Sequence, residues 1–358
     1  MGWGTGMARR PEPGPGTYAA AGVDRVPVAR ALAALLAGVR YRAPPASGRR
    51  RGEAGHYAGL LRIGRETLAL TTDTVGTKSL LAQELGRWEE VGEDLVAVNV
   101  NDLAAVGARP AGFVDSLSLA RPDPRQLAAL GRGMDRGLRA ARAHLLGGET
   151  AIVPEIVRGP DLGGTALGFF PAGRRPVTGD RLRAGDLLLG LAASGLHANG
   201  LTLARRIVRD RGIALNRPRP GATESIGREM LRPTRIYVAA TEAVADDPGV
   251  TGFAHISGGG VRNLVRLNPS VGFDLDAVGP VPPLCAFLQE AGGVPLREMY
   301  QTFNMGIGFV VAVRPGAADR VRTRLGRVGY PDARPIGRVR AGRGVRIPPL
   351  GLSYLGYA

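Results

Sequence analysis

From residue 67 onward, short apolar runs alternate with longer amphipathic stripes, and many of the runs end on glycine beside Asp, Glu, Asn or His. A short apolar run suits a strand inside a sheet, whereas apolar residues at helical spacing make a stripe that covers one. Thr67 to Thr72, Leu95 to Val100, Gly112 to Leu117, Leu145-Leu146 and Leu162 to Phe170 read as strands, with a short helix opening at Leu103. Asp123-Pro124 predicts a helix start, a carboxylate cap before proline at the first helical position. Leu127, Leu130, Met134 and Leu138 then share one stripe. Leu187 to Ala193 and Gly308 to Val313 read as strands, Leu201 to Val208 as a helix, and Val261 to Leu267 as a helix behind a triple glycine. No short-period repeat is present. The rhythm predicts an α/β (α+β) chain.

A length of 358 residues suggests about two domains of ordinary size. Residues 1–16 hold five Gly and three Pro with little to bury, and read as a tail. Tyr41 to Gly52 reads as a loop, and Gly173 to Gly179 as the domain boundary. The expected division is therefore 1–16, 17–172 and 173–358. With 44% hydrophobic and 22% charged residues the chain is globular and not disordered throughout. No run approaches the ~18 apolar residues of a membrane span, and the Gly/Pro/Arg-rich start predicts no secretory leader. A single cysteine, Cys285, excludes an internal disulfide and fits a cytoplasmic protein.

The charge is lopsided. Lys and Arg total 47 against 31 acids, a net +16, yet only one of the 47 is lysine, Lys78. Such a surface could attract nucleic acid. The scarcity itself is a test: where a rare residue type survives, the site is expected to require it. Asparagine, with seven occurrences, serves the same way.

Six segments carry candidate chemistry. Asp73-Thr74-Val75-Gly76-Thr77-Lys78 sets a carboxylate, a glycine and an ammonium in one turn, suited to Mg²⁺ beside phosphate. Asn99-Val100-Asn101-Asp102 lies at an expected strand end opening a helix, where Asp102 could equally be a plain helix cap. Gly147-Gly148-Glu149-Thr150 adds a third carboxylate. Asp73, Asp102 and Glu149 together make a Mg-nucleotide site plausible. Ser194 to Gly200 (S-G-L-H-A-N-G) precedes a helix start, a setting in which backbone N–H groups bind anions; it contains His197 and Asn199. His255 leads into Gly258-Gly259-Gly260, where a flexible turn is the bland alternative. Met299 to Gly308 gathers Tyr, Phe, Asn304 and two Met in a chain poor in all of them.

Taken in order, these segments resemble the phosphoribosylformylglycinamidine cyclo-ligase (aminoimidazole ribonucleotide synthetase) family from about Tyr18 to Arg338. The resemblance rests on Y-A-A-A-G-V-D at Tyr18, D-T-V-G-T-K at Asp73, D-L-V-A-V-N-V-N-D-L at Asp94 and G-G-E-T-A at Gly147. It continues through S-G-L-H-A-N-G at Ser194, L-R-P-T-R-I-Y at Leu231, A-H-I-S-G-G-G at Ala254 and E-M-Y-Q-T-F-N-M-G-I-G at Glu298. It implies a homodimer of two-domain subunits whose N-terminal mixed sheets pair into a barrel, with a C-terminal α/β domain, ATP and Mg²⁺ as cofactors, and a small ribonucleotide substrate. It implies Mg²⁺ at Asp73, Asp102 and Glu149, and nucleotide contacts at Asp73, Thr74, Gly76, Thr77, Lys78, Asn101, Asp102, Gly147, Gly148 and Glu149. Substrate contacts are implied at Ser194, Asn199, Gly258, Gly259, Gly260 and Asn304, and catalytic roles at Lys78, His255 and His197. Two positions depart from the family: Thr74 stands where glycine is usual, and Ala19 where many members carry lysine.

Among related enzymes, selenophosphate synthetase would need a reactive residue near the N-terminus, far from Cys285. The hydrogenase-maturation dehydratase would need a C-terminal cysteine, and this chain ends in Tyr357-Ala358. Thiamine-monophosphate kinase is the remaining superfamily alternative. An Arg-rich nucleic-acid-binding protein would explain the charge but not the acidic and glycine-rich loops.

Overall fold

The computed structural model describes residues 16–41, 43–44, 49–51 and 56–357. The tail expected over 1–16 thus lies, except for Gly16, outside the described residues. The first half contains α1 (Arg25–Gly38), β1 (Arg49–Arg51), β2 (Gly59–Ile63), β3 (Glu66–Thr74), α2 (Lys78–Leu85) and α3 (Glu89–Ala104). It closes with β4 (Arg109–Leu119), α4 (Pro124–Ala141), β5 (His144–Ile152) and β6 (Asp161–Phe169). The short strand β1 falls inside Tyr41–Gly52, which the sequence suggests is a loop.

The second half runs β7 (Leu187–Ala192), α5 (Leu201–Asp210), α6 (Ile226–Leu231), α7 (Val238–Val244), β8 (Val250–His255) and β9 (Val271–Asp274). Then come α8 (Pro283–Gly292), α9 (Leu296–Thr302), β10 (Ile307–Val313), α10 (Ala318–Arg327), β11 (Arg334–Ala341), β12 (Gly344–Ile347) and β13 (Leu352–Tyr354). The expected helix behind the triple glycine is a 3₁₀ helix, Gly260–Arg266.

The strands form two mixed sheets, six-stranded in the order β1-β2-β3-β6-β4-β5 and seven-stranded in the order β13-β12-β9-β11-β7-β10-β8. The first is open: its described strands close no barrel within one chain. Its inner face buries Leu60, Ala69, Phe113, Leu117, Leu162 and Ala166. Its outer face leaves Leu61, Leu70 and Val114 exposed. Asp123 caps α4 as expected, accepting from the N–H groups of Arg125 and Gln126, and Leu130 and Met134 are buried below it.

One element differs outright. Leu95–Val100 is not a strand and no helix starts at Leu103: both belong to α3, a single helix of 16 residues. It is buried on nearly every side from Val91 to Ala104, packed against α4, β3, β4, β6, α7 and β8. A helix covered all round needs apolar residues all round, so its sequence loses the stripe that marks a surface helix. Asp102 is therefore no helix cap; it sits in the last turn.

Candidate active site

The end of β3 and α3 bring the first carboxylates together. Asp73 lies within β3, not after it, and Asn99 on α3 donates its Nδ2 to the Asp73 backbone carbonyl at 3.3 Å. Although open to solvent on one side, Asp73 is walled by protein, and that burial, with the Asp102 charge second, raises its carboxyl to about 6. Asp102 Oδ1 lies 2.9 Å from His255 Nδ1 at the end of β8. His255 is buried, and its Nε2 has no partner among the described residues. An imidazole held by a carboxylate at one nitrogen and unpartnered at the other can accept or pass a proton there once a reacting group reaches it. Arg266 adds a fixed cation, its guanidinium stacked 4.1 Å over the Tyr57 ring and bonded to the His56 carbonyl at 3.0 Å.

Two crowded carboxylates, one held protonated to nearly neutral pH, are the signature of a place that a cation would relieve. Mg²⁺ needs only one or two protein carboxylates when phosphates supply the rest. Asp73 and Asp102 fit that requirement. Glu149 does not join them. In register, Asp73 pairs with Gly164, Asp115 and Gly148, whereas Glu149 pairs with Ser116, Gly163 and Thr74. Glu149 thus belongs to the outer row, three strands or roughly 14 Å across the sheet. No three His, Cys, Asp or Glu side chains converge on a metal position among the described residues. Gly147 and Gly148 lie with it on exposed β5, an edge strand.

The turn after β3 sets the remaining phosphate candidates. Thr74 keeps ordinary strand backbone, so the departure from glycine brings no strain; the left-handed φ of this turn falls at Gly76. Thr77 Oγ1 meets Thr202 Oγ1 of α5 at 2.8 Å, linking the two halves. Lys78 is fully buried. Its ammonium pairs with Asp94 Oδ2 at 2.6 Å and donates to the Arg232 carbonyl at 2.8 Å. Asn101 is likewise taken up by protein, donating to the Arg235 carbonyl at 2.9 Å and accepting from the Tyr237 N–H at 2.8 Å.

The glycine-rich loops of the second half meet one another. Ser194 Oγ donates to the Pro233 carbonyl at 2.5 Å, and Asn304 Nδ2 to the Gly195 carbonyl at 2.8 Å. His197 is buried with a left-handed φ of 63°, its Nε2 accepting from the Ser194 N–H at 3.3 Å and its Nδ1 unpartnered among the described residues. Burial holds its basicity well below the usual histidine range, with the charges of His255, Lys78 and Arg235 adding to the effect. A histidine kept neutral and in strained backbone is a mark of a functional loop. Gly258 abuts the Asn199 amide oxygen, so a side chain there would collide with the neighbouring loop. Gly260 has φ +53° and faces the Tyr300 carbonyl, leaving no room for Cβ, while Gly259 lies against Tyr357 and Asn263.

Sequence reasoning quotes Asp94 and Thr234 within motifs but gives them no role, and passes over Arg266. Asp94 and Asn101 are seven residues apart, which on a helix puts both on one face. Reading Leu95–Val100 as a strand hides that spacing.

Fold and site together define a two-domain enzyme class in which a carboxylate-bearing sheet end faces glycine-rich loops of a second α/β unit. Residues 55–170 match the family described as AIR synthase related protein, N-terminal domain, and residues 183–348 match its C-terminal domain. The chain belongs to this family. Among curated relatives, the phosphoribosylformylglycinamidine cyclo-ligase of Methanothermobacter thermautotrophicus is 44% identical over 288 residues, 80% of this chain and 83% of the relative. That of Thermococcus gammatolerans is 39% identical over 94% of this chain and 99% of its own. Among solved structures, the tt0281 protein from Thermus thermophilus superposes with a TM-score of 0.60 at 26% identity, covering 89% of this chain and 95% of that one. Thiamine monophosphate kinase from Aquifex aeolicus has a TM-score of 0.61 at 18% identity, covering 92% and 99%, a likeness of fold alone.

Proposed function

We infer that this chain closes the imidazole ring of aminoimidazole ribonucleotide from formylglycinamidine ribonucleotide, consuming ATP and releasing ADP and phosphate in purine biosynthesis. The observation that carries the reading is that curated relatives named for this cyclo-ligase activity are 36–44% identical over most of the chain. An amide oxygen is a poor leaving group, so the chemistry needs it phosphorylated first. The terminal phosphoryl of ATP passes to the formyl oxygen, giving ADP. The amidine nitrogen then attacks that carbon, the C–O bond breaks, and phosphate departs with the substrate's oxygen while the nitrogen loses a proton.

In this account Asp73 and Asp102 hold Mg²⁺, which when bound neutralises phosphate charge. Thr74, Gly76, Thr77, Gly147 and Gly148 contribute nucleotide contacts. The loops carrying Ser194, Asn199, Gly258 to Gly260 and Asn304 orient the ribonucleotide so that the nitrogen and carbon meet, the main source of rate in such a reaction. His255 Nε2 takes the proton, with Asp102 holding the other nitrogen in place; His197 lines the same substrate loop. Lys78 acts through the protein groups it binds rather than on phosphate. We take 17–172 as the nucleotide-binding half and 173–358 as the substrate half, in a cytoplasmic homodimer. The uncovered apolar face of the first sheet supports that assembly, and Glu149, lying on that face, would join a site only once the face is covered.

The test is turnover by purified protein with ATP and Mg²⁺. Formation of aminoimidazole ribonucleotide from formylglycinamidine ribonucleotide is expected, with no phosphorylation of thiamine monophosphate. The opposite pattern would assign the chain to the kinase branch of the superfamily.

A further inference from the structure

We propose that Asp94 is a positioning residue: its buried carboxylate fixes the Arg232–Tyr237 segment, and through that segment the Ser194–Gly200 loop. The proposal rests on the reading above, in which that loop holds the ribonucleotide.

Asp94 is fully buried near the middle of α3. Its Oδ1 accepts from both the N–H (2.9 Å) and the hydroxyl (2.5 Å) of Thr234, while Oδ2 pairs with Lys78. Lys78 in turn donates to the Arg232 carbonyl, so the pair grips residues 232 and 234 from α2 and α3 at once. Asn101, on the same face of α3, holds the Arg235 carbonyl and the Tyr237 N–H. Residues 232–237 lie between α6 and α7 in neither helix nor strand, so no ladder sets their position. Side chains do so instead: Asp94, Lys78 and Asn101 from the first half, and from the second Tyr330, whose hydroxyl donates to the Ile236 carbonyl at 2.6 Å, and Asp332, which pairs with Arg235 at 3.2 Å.

That segment then holds the loop of the second half. The Pro233 carbonyl accepts from Ser194 Oγ at 2.5 Å. Arg235 and the Tyr237 hydroxyl donate to the Ala192 carbonyl, at 3.2 and 2.8 Å, where β7 ends and the loop begins. The carboxylate Asp102 rides on the same helix, eight residues beyond Asp94. One rigid element thus fixes the spacing between the Asp73/Asp102 end and the loop.

Stability alone is a poor reason for this arrangement. A buried ion pair gains little over apolar residues of the same volume, because desolvation offsets its attraction. What apolar residues cannot supply is direction, and short charge-assisted bonds in a dry interior supply it. The chain spends its single lysine here.

The test compares Thr234→Val, which deletes the hydroxyl bond at nearly constant shape, with Thr234→Ser, which keeps it, in the full-length protein. Thr234→Val is expected to raise KM for the ribonucleotide by about tenfold while KM for ATP changes by less than about twofold. Amide hydrogen exchange across residues 194–200 is expected to quicken in Thr234→Val and to return to the parent rate in Thr234→Ser. An unchanged ribonucleotide KM with unchanged exchange would overturn the proposal, as would an equal rise in both KM values. If the parent protein does not turn over the ribonucleotide, the functional reading fails, and the exchange comparison still decides whether Asp94 positions the loop. Should Thr234→Val not fold, exchange in Asp94→Asn carries the same test, since that change keeps the side chain's shape and removes the charge that Thr234 and Lys78 bind; an unchanged rate across residues 194–200 would overturn the proposal.

Discussion

At the scale of single residues, the Asp73 carboxyl is where the site's chemistry is most exposed to measurement. In the folded protein burial, with the Asp102 charge second, raises it from an ordinary 3.8 to about 6. Between those values the folded state keeps a proton that the unfolded state has released. Raising the pH through that window therefore removes stability, and the cation-free protein is weakest, as far as this group is concerned, above about pH 6. Asp73→Asn abolishes that penalty. Because solvent reaches that carboxyl on one side and screens it, the gain is small: the melting temperature without Mg²⁺ is predicted to rise by about one degree at neutral pH, while Mg-dependent turnover falls by about a hundredfold or more. In the parent enzyme, kcat/KM for ATP at constant Mg²⁺ should climb as the pH passes through about 6, since the ionised carboxylate is the form that takes the cation. A variant less stable than its parent, or a flat pH profile, would contradict this.

At the scale of elements, α3 organises the molecule. Its closest neighbour is α4, and the two helices approach through glycine: a Cβ at Gly133 would run into the Glu89 carbonyl, and one at Gly92 into that of Leu130. Gly133→Ala is predicted to destabilise by about 1–3 kcal/mol through overpacking, read as a lower denaturation midpoint. Gly131, two residues earlier on α4, faces open space. Gly131→Ala should instead stabilise by roughly 0.5–1 kcal/mol, since alanine is the better helix former. Equal responses at the two positions would refute the close approach. The same helix marks the limit of what sequence reveals. The stripe of α4, with its Asp123 cap, and the apolar runs of β4, β6, β7 and β10 are read correctly because each has one periodicity and one environment. Leu95–Val100 is apolar on all sides because the two halves enclose it, and that run is equally good as a strand. The error carries over to the site. It puts Asp102 at a helix opening, and it leaves Asp94, though part of a quoted motif, without a role, because its partners, Lys78 and Thr234, are 16 and 140 residues away. Scarcity marks Lys78 as functional, but it says only that a site requires lysine, not whether a phosphate or a carboxylate is its partner.

For the whole molecule, the outer face of the six-stranded sheet is an apolar surface left uncovered among the described residues of one chain. Leu61, Ile63, Leu70, Val114 and Leu146 are exposed on or beside it, and apolar residues gathered on one face are the kind of surface that a partner covers. Sedimentation is predicted to give a dimer, and Leu70→Arg to give monomers with greatly reduced activity; a monomeric, active parent would refute the assembly. The charge of +16 belongs to this scale too. Arg174 and Arg109 pair with Glu242, and Arg174 also with Asp246, so part of the arginine excess joins β4 and the linker to α7 instead of facing solvent alone.

All of these readings meet in one claim, that the protein activates a formyl amide oxygen by phosphorylation and then expels it. The direct measurement uses formylglycinamidine ribonucleotide carrying heavy oxygen in its formyl group, with unlabelled ATP, Mg²⁺ and the purified protein. The account predicts aminoimidazole ribonucleotide and ADP, with the heavy atom recovered in the released phosphate. Unlabelled phosphate, or ATP consumed with the ring left open, would contradict it.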